Sequence, residues 1–287
     1  MPAKFTFFGA MCVLVERSDG KKLLFDPYIS GNPQTTVPME TFYDIDYLFV
    51  THNAGDHFGD ADVIMQNAPK AVLISGKDVN RHVQKLGKLP RERWYGTIYG
   101  DCRALDDQTV FHTVQAIHRS KESTDGVEAS HPAFGFIVEV EPGVTYYHVW
   151  DTCLFSDMRM YRELYHPNVM TVGISRFKEP YPPCEMPPRE AAYAVSYVGP
   201  DVVIPTHYPT GSSALEEFRG HMETLEPRSS SRRRWRSRFT LSLPGWRMCY
   251  DAAPINLCQS RRGARQLWTG CGPALSFGRG AGGLGGL

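Results

Sequence analysis

The chain has 287 residues, 42% of them hydrophobic and 22% charged, with 31 basic residues against 31 acidic. This is the composition of a globular protein with ample material for a core, either as one large domain or as two small ones. No run approaches the roughly 18 apolar residues of a membrane span, and Met1-Pro2-Ala3-Lys4 leads straight into a strand-like segment, so a cytoplasmic location is expected. Seven cysteines, at positions 12, 102, 153, 184, 249, 258 and 271, are scattered and lack a CxxC pair. They imply neither a disulfide framework nor a cysteine zinc site, and most read as buried thiols.

The body reads as strands and helices in alternation. Short strands are predicted at Lys4–Phe8, Cys12–Glu16 and Lys22–Phe25, with hairpin-turn chemistry at Ser18-Asp19-Gly20-Lys21. After a loop rich in Gly, Asn, Pro and Thr come a strand at Asp46–Val50, a helix from Ala61 to about Gln66, a strand at Ala71–Ser75 and a helix at Lys77–Leu86. Further strands are predicted at Val110–Ile117, Phe134–Val140, Thr145–Trp150, Val169–Gly173 and Val202–Pro205. Helices are predicted at Asp157–Leu164, Pro188–Val198 and Ser213–Leu225. Strands and helices of similar kind in each half suit a two-sheet sandwich with outer helices, a four-layer αββα arrangement.

The stretch Thr51-His52-Asn53-Ala54-Gly55-Asp56-His57-Phe58-Gly59-Asp60 follows the apolar run Tyr47–Val50 and precedes an amphipathic segment. A buried strand that empties into a short polar loop presents several side chains to one point, here imidazole and carboxylate groups that suit Zn, Mn or Fe. A simpler reading is a turn whose Asp caps the helix while its His residues are solvated. Partners at other strand ends argue against it: His118 after Thr113–Ile117, Asp151 after Tyr146–Trp150, and His207 after Val203–Thr206.

These residues resemble the metallo-β-lactamase-fold metal-dependent hydrolases, in the branch that includes ascorbate-6-phosphate lactonase. The resemblance runs from about Lys4 to Pro227, through Leu24-Phe25-Asp26-Pro27, Gly31-Asn32-Pro33, the loop at 51–60, Tyr147–Thr152, Leu154–Met158 and Ile204–Tyr208. It implies that His52 and His118 belong to one metal position and Asp56, His57 and His207 to a second. It further implies that Asp151 lies between the two and can bridge them. In that family the loop reads His-x-His-x-Asp-His, and this sequence departs from the pattern at Ala54, which has no donor atom. The expectation is therefore one tight divalent ion (Zn, Mn or Fe) held by Asp56, His57, His207 and Asp151, with a weak or absent partner metal.

A bound divalent ion brings the pKa of its water from 15.7 to about 7 and polarises the oxygen it touches, so a hydrolase of a small ester, lactone or phosphoester is expected. Asp56, Asp151 and His52 are the catalytic candidates, His52 being free to hydrogen-bond substrate or shuttle a proton. A catalytically inactive relic that binds a ligand or RNA is the alternative. Asp60 either orients a ligand imidazole or caps the helix near Ala61. Arg119 and Lys121 after His118, and Arg176 and Lys178 after Val169–Gly173, are candidate clamps for a phosphate or carboxylate, Arg176 the preferred one. Tyr208 and His131 are lesser substrate candidates, and His148, inside a strand, reads as structural. Cys153 lies two residues after Asp151 but has no base beside it in the sequence, so a thiol nucleophile is set aside.

The charge balance hides a split. Eleven Arg and one acid, Asp251, fall after Pro227, which leaves 20 basic residues against 30 acidic in the body. Residues 1–227 are read as the hydrolase domain and 228–287 as an Arg/Gly-rich tail. Its abrupt change of composition suits a disordered segment or a shifted reading frame; an RNA-binding arm is the alternative if the tail is genuine. A small-molecule substrate is the expected partner, with no membrane, and a homo-oligomer is left open.

Overall fold

A computed structural model describes residues 3–87, 89–124, 127–175 and 185–225. Strands β1 (Lys4–Phe7), β2 (Val13–Glu16) and β3 (Lys22–Phe25) form an antiparallel meander. β4 (Tyr47–Val50), β5 (Val72–Ser75) and β6 (Trp94–Gly96) continue the same six-stranded sheet in parallel with β3. The second sheet has the order β12-β11-β10-β9-β8-β7. It is built from β7 (Cys102–Ala104), β8 (Val110–Thr124), β9 (Val127–Glu141), β10 (Val144–His148), β11 (Val169–Gly173) and β12 (Val202–Thr206). There β10, β11 and β12 run parallel, and β7 to β10 are antiparallel neighbours.

The two-residue period of the strands decides the layering. Along β4, Tyr47 and Phe49 enter the core between the sheets, whereas Leu48 and Val50 enter a second core on the outer face. That outer core is closed by α2 (Ala61–Asn67) and α3 (Lys77–Gly87), through Ile64, Met65, Val79 and Val83. On the second sheet Tyr146 faces inward, and Tyr147 packs outward with residues of α4 (Met158–Tyr165), α5 (Pro188–Val198) and α6 (Ala214–Thr224). Each large apolar side chain so buried contributes about 1.5–3 kcal/mol. The αββα sandwich expected from the sequence is the architecture observed. Among the described residues, no helix is long and apolar enough to cross a membrane.

Several details differ from the sequence expectations. β8 continues through His118 to Thr124, so this histidine does not end a strand. It lies where the β8–β9 register shifts between Gln115 and Arg119, a bulge that re-aims side chains without ending the ladder. The one-turn helix α1 (Gly55–Phe58) occupies the middle of the polar loop. Of the three cysteines in the described residues, Cys12 is buried, Cys153 is half-buried and Cys102 is exposed on the edge strand β7, so burial is not general. The predicted tail and Cys184 lie outside the described residues, as do Arg176 and Lys178.

Candidate metal centre

The C-terminal ends of parallel strands collect the candidate side chains, as open α/β sheets generally do. Asp26 follows β3, the group His52, Asp56 and His57 follows β4, Asp151 follows β10 and His207 follows β12. His118 reaches the same place from the bulge in β8. Two residues here hold φ in the left-handed region, Asp26 at 43° and His207 at 55°. Neither is glycine, and such positions persist where surrounding contacts over-determine them. Gly59 ends α1 at φ 47°, and an added Cβ would come within 2.4 Å of the Pro27 carbonyl oxygen. That close approach brings the loop against the residues after β3, where Asp60 N donates to Pro27 O.

Two groups of donor atoms form. His52, His118 and Asp151 have ligand atoms within 4.8 Å of one another, and so do Asp56, His57 and His207. Asp151 joins them: Oδ2 lies 3.2 Å from His57 Nε2 and 3.9 Å from His118 Nε2, and Oδ1 lies 3.6 Å from His207 Nδ1. On the other side of His207, Nε2 is 3.1 Å from Asp56 Oδ2. Buried atoms of this cluster are orphaned: His52 Nε2, His57 Nε2, Asp151 Oδ1 and His207 Nδ1 make no hydrogen bond. Four such atoms in one place would be costly in a closed core, and they fit a cation that satisfies them together. Ala54 immediately precedes α1 and carries no donor atom, so the first group lacks the imidazole that the family pattern supplies.

Behind the candidate ligands stands a buried network that the sequence reading did not assign. Asp26 Oδ2 accepts from His57 Nδ1 at 2.9 Å and from His148 Nε2 at 3.0 Å. Its Oδ1 accepts from Thr51 N at 2.9 Å. His148 Nδ1 meets Tyr146 Oη at 2.7 Å, which gives the structural reading of His148 a definite content. A carboxylate on Nδ1 fixes the tautomer of His57 with Nε2 turned to the metal position. Asp60 stands at the N-cap position of α2, but its side chain makes no capping hydrogen bond and instead accepts from Ile29 N and Ser30 N at 2.9 Å. Trp150 lies against the imidazoles, with its ring 4.5 Å from that of His52 and 5.4 Å from that of His118. Glu185, from the segment before α5, places Oε2 3.2 Å from His207 Nδ1.

The signal that would have found Asp26 is its position, an acid directly after a buried strand, like Asp151. Glu185 follows no strand and carries no comparable signal. Among the basic candidates, Arg119 is exposed on β8 next to His118, and Arg176 is outside the described residues. Tyr208 packs half-buried against the core shared by α5 and α6.

Charge is divided unevenly over the cluster. Burial opposes charge on His57, but the carboxylates of Asp151 and Asp26 outweigh it and push the imidazole up to about 10. His207 is likewise raised, against burial, by Asp151, Asp56 and Glu185. The hydrogen bond from His207 brings Asp56 down to about 2. Asp151 stays well below the usual carboxylate range despite burial, because His207 and His57 face it. His52 goes the other way: burial and the neighbouring positive charge of His57 hold it well below its ordinary value, so it is neutral.

Residues 21–208 match the β-lactamase superfamily domain. The chain is 35% identical over 220 residues to a UPF0173 metal-dependent hydrolase of Pyrococcus abyssi, an alignment covering 75% of this chain and 90% of that one. A Thermococcus kodakarensis relative of the same family is 36% identical over 208 residues, 72% of this chain and 85% of the other. The solved structure of Igni18, a metallo hydrolase from Ignicoccus hospitalis, superposes with a TM-score of 0.64 at 27% identity, over 78% of this chain and 91% of that one. Sequence and fold agree, and the chain belongs to the UPF0173 metal-dependent hydrolases, within the metallo-β-lactamase superfamily.

Proposed function

We propose that this chain hydrolyses a small ester, lactone or phosphoester with one tightly held divalent ion, Zn, Mn or Fe. The observation that carries the reading is the convergence of Asp56, His57, His207 and Asp151 around buried atoms with no hydrogen-bond partner. These four residues would hold the ion, and His52 and His118, without an imidazole at residue 54, would form a weaker position. A bound ion supplies an acidified water and polarises the acyl or phosphoryl oxygen.

The remaining work falls to the chain's own side chains. Asp26 keeps the Nδ1 proton of His57 and leaves Nε2 turned toward the ion position. Neutral His52, whose Nε2 has no partner, is able to accept a hydrogen bond from the substrate at neutral pH, while burial and His57 oppose its taking up a full proton. Arg119, exposed beside His118, offers a bidentate guanidinium to a phosphate or carboxylate, and Tyr208 stands next to His207 as a further substrate contact. Arg176 is retained as a candidate from the sequence alone. The three free cysteines of the described residues accord with a reducing, cytoplasmic setting.

Elemental analysis of protein purified without chelator, followed by turnover on a panel of lactones and phosphoesters with Mn(II) or Zn(II), tests this reading. About one equivalent of metal and metal-dependent hydrolysis are expected, with Asp151→Asn losing both metal affinity and turnover. Metal-free protein that hydrolyses nothing in the panel would instead favour the non-catalytic alternative, for which the Ala54 departure is the one specific observation.

A further inference from the structure

Glu185 lies beside the proposed ion position but outside the ligand set that the resemblance implies. Its Oε2 is 3.2 Å from His207 Nδ1, and Asp151 Oδ1, His207 Nδ1 and the Glu185 carboxylate lie within 4.8 Å of one another. The contact between Glu185 and His207 is close without the alignment of a hydrogen bond, because His207 Nδ1 has no hydrogen-bond partner. Asp151 Oδ1 is also unpartnered, on a residue only 5% exposed. Two of the three converging donor atoms, Asp151 Oδ1 and His207 Nδ1, have no aligned hydrogen-bond partner, an arrangement that suits ligands of a common cation.

The local chain delivers Glu185 to this point. Met186 is inserted in the core shared by the outer helices, and Pro187 and Pro188 lead into α5, whose Ala191, Ala192 and Val195 are buried. With its neighbour anchored on one side, Glu185 is turned to the other, where its side chain is 21% exposed. We infer that Glu185 supplies a further carboxylate to the metal centre beside Asp151 and His207, and so biases it toward a hard, oxygen-preferring ion such as Mn(II). The inference rests on the proposed function. It adds a second carboxylate to that of Asp151 on the Nδ1 side of His207, and carboxylate suits Mn(II) better than Zn(II), which imidazole and thiolate hold well.

The test is metal affinity of the full chain. Mn(II) binding is read from the electron paramagnetic resonance signal of the free ion, and Zn(II) binding from competition with a chromophoric chelator. Glu185→Gln keeps the size and one acceptor oxygen but removes the charge; Glu163→Gln, on the exposed face of α4, controls for loss of one acid elsewhere. Glu185→Gln is expected to weaken Mn(II) binding roughly tenfold or more and Zn(II) binding less, moving the preference toward Zn(II). The metal-free variants should melt together. Mn(II) affinity within twofold of the parent chain, or an equal loss for both ions, overturns the inference and leaves the proposed function standing. A parent chain that binds neither ion overturns both.

Discussion

Asp26→Asn is the perturbation that most directly tests how the centre is held. Asp26 is fully buried, and its Oδ2 serves two imidazoles at 2.9 and 3.0 Å while Oδ1 takes the Thr51 amide. An asparagine keeps only one acceptor oxygen. If that oxygen stays on Thr51 N, the new NH2 group faces the ring nitrogens of His57 and His148. His57 can then accept at Nδ1 only by moving its proton to Nε2, the atom turned toward Asp151 and the ion position. Loss of a buried charge that neutralises a protonated imidazole costs about 3–5 kcal/mol. For a domain of this size that corresponds to a fall in melting temperature of roughly 6–20 °C in the metal-free protein. The displaced tautomer should also weaken metal binding about 10- to 100-fold, the range for a carboxylate behind a ligand histidine. Thermal melts and chelator competition on the variant read the two effects separately. If Asp26→Asn binds metal within twofold of the parent chain and melts within a degree or two of it, the network does not fix His57.

Metal-free protein should lose stability as pH rises. His57 is raised in the fold from 6.5 to about 10, so its contribution is fully present below pH 6.5 and is lost as pH rises through about 10. Melts across that window should fall for metal-free protein, and calorimetry in buffers of different ionisation enthalpy should show proton release on metal binding at pH 7, because ligand imidazoles bind the ion unprotonated. Ala54→His adds an imidazole to the group of His52, His118 and Asp151 and is expected to raise metal content toward two equivalents, measured by elemental analysis; an unchanged content would mean that residue 54 does not face that position. Truncation after Pro227 should leave metal content and melting temperature unchanged, since every element and ligand described precedes it; a fall of several degrees would show that the tail packs on the sandwich.

The sandwich was legible because its strands carry two sets of apolar residues. Tyr47-Leu48-Phe49-Val50 looks uniformly apolar in sequence, and a strand buried on both faces requires just that. The edge strands Trp94–Gly96 and Cys102–Ala104 were not predicted, because three residues are too few for a period to show. Nor was the far half of the β8–β9 hairpin, where β8 itself is polar from Arg119 to Thr124 and shows no apolar alternation. The candidate cluster was legible as His or Asp residues following strands, helped by the resemblance, except that His118 lies inside β8. Asp26 had the same signal, but its role depends on His148, 122 residues away in sequence. Glu185 had none, since only the packing of Met186 and α5 brings it to His207.

The two halves of the centre differ in how they meet a proton, and this follows from where the carboxylates stand. His57 has Asp26 on Nδ1 and Asp151 near Nε2, so the metal-free fold keeps it cationic. His52, with its ring only 4.3 Å from that of His57, has no carboxylate in direct contact; it is walled by Trp150 and left neutral by burial and by that adjacent charge. An ion entering beside His57 must displace the protons that the metal-free fold holds on His57 and His207, so two positive charges give way to two, but it is drawn by carboxylates that stay ionised well below neutral pH. An ion entering beside His52 displaces no proton there and finds Asp151 as its one nearby carboxylate, already shared. Losing the imidazole at residue 54 therefore falls on the half with less charge to compensate for it. In the proposed hydrolase this leaves His52 as a neutral imidazole whose unpartnered Nε2 can accept a hydrogen bond from water or substrate.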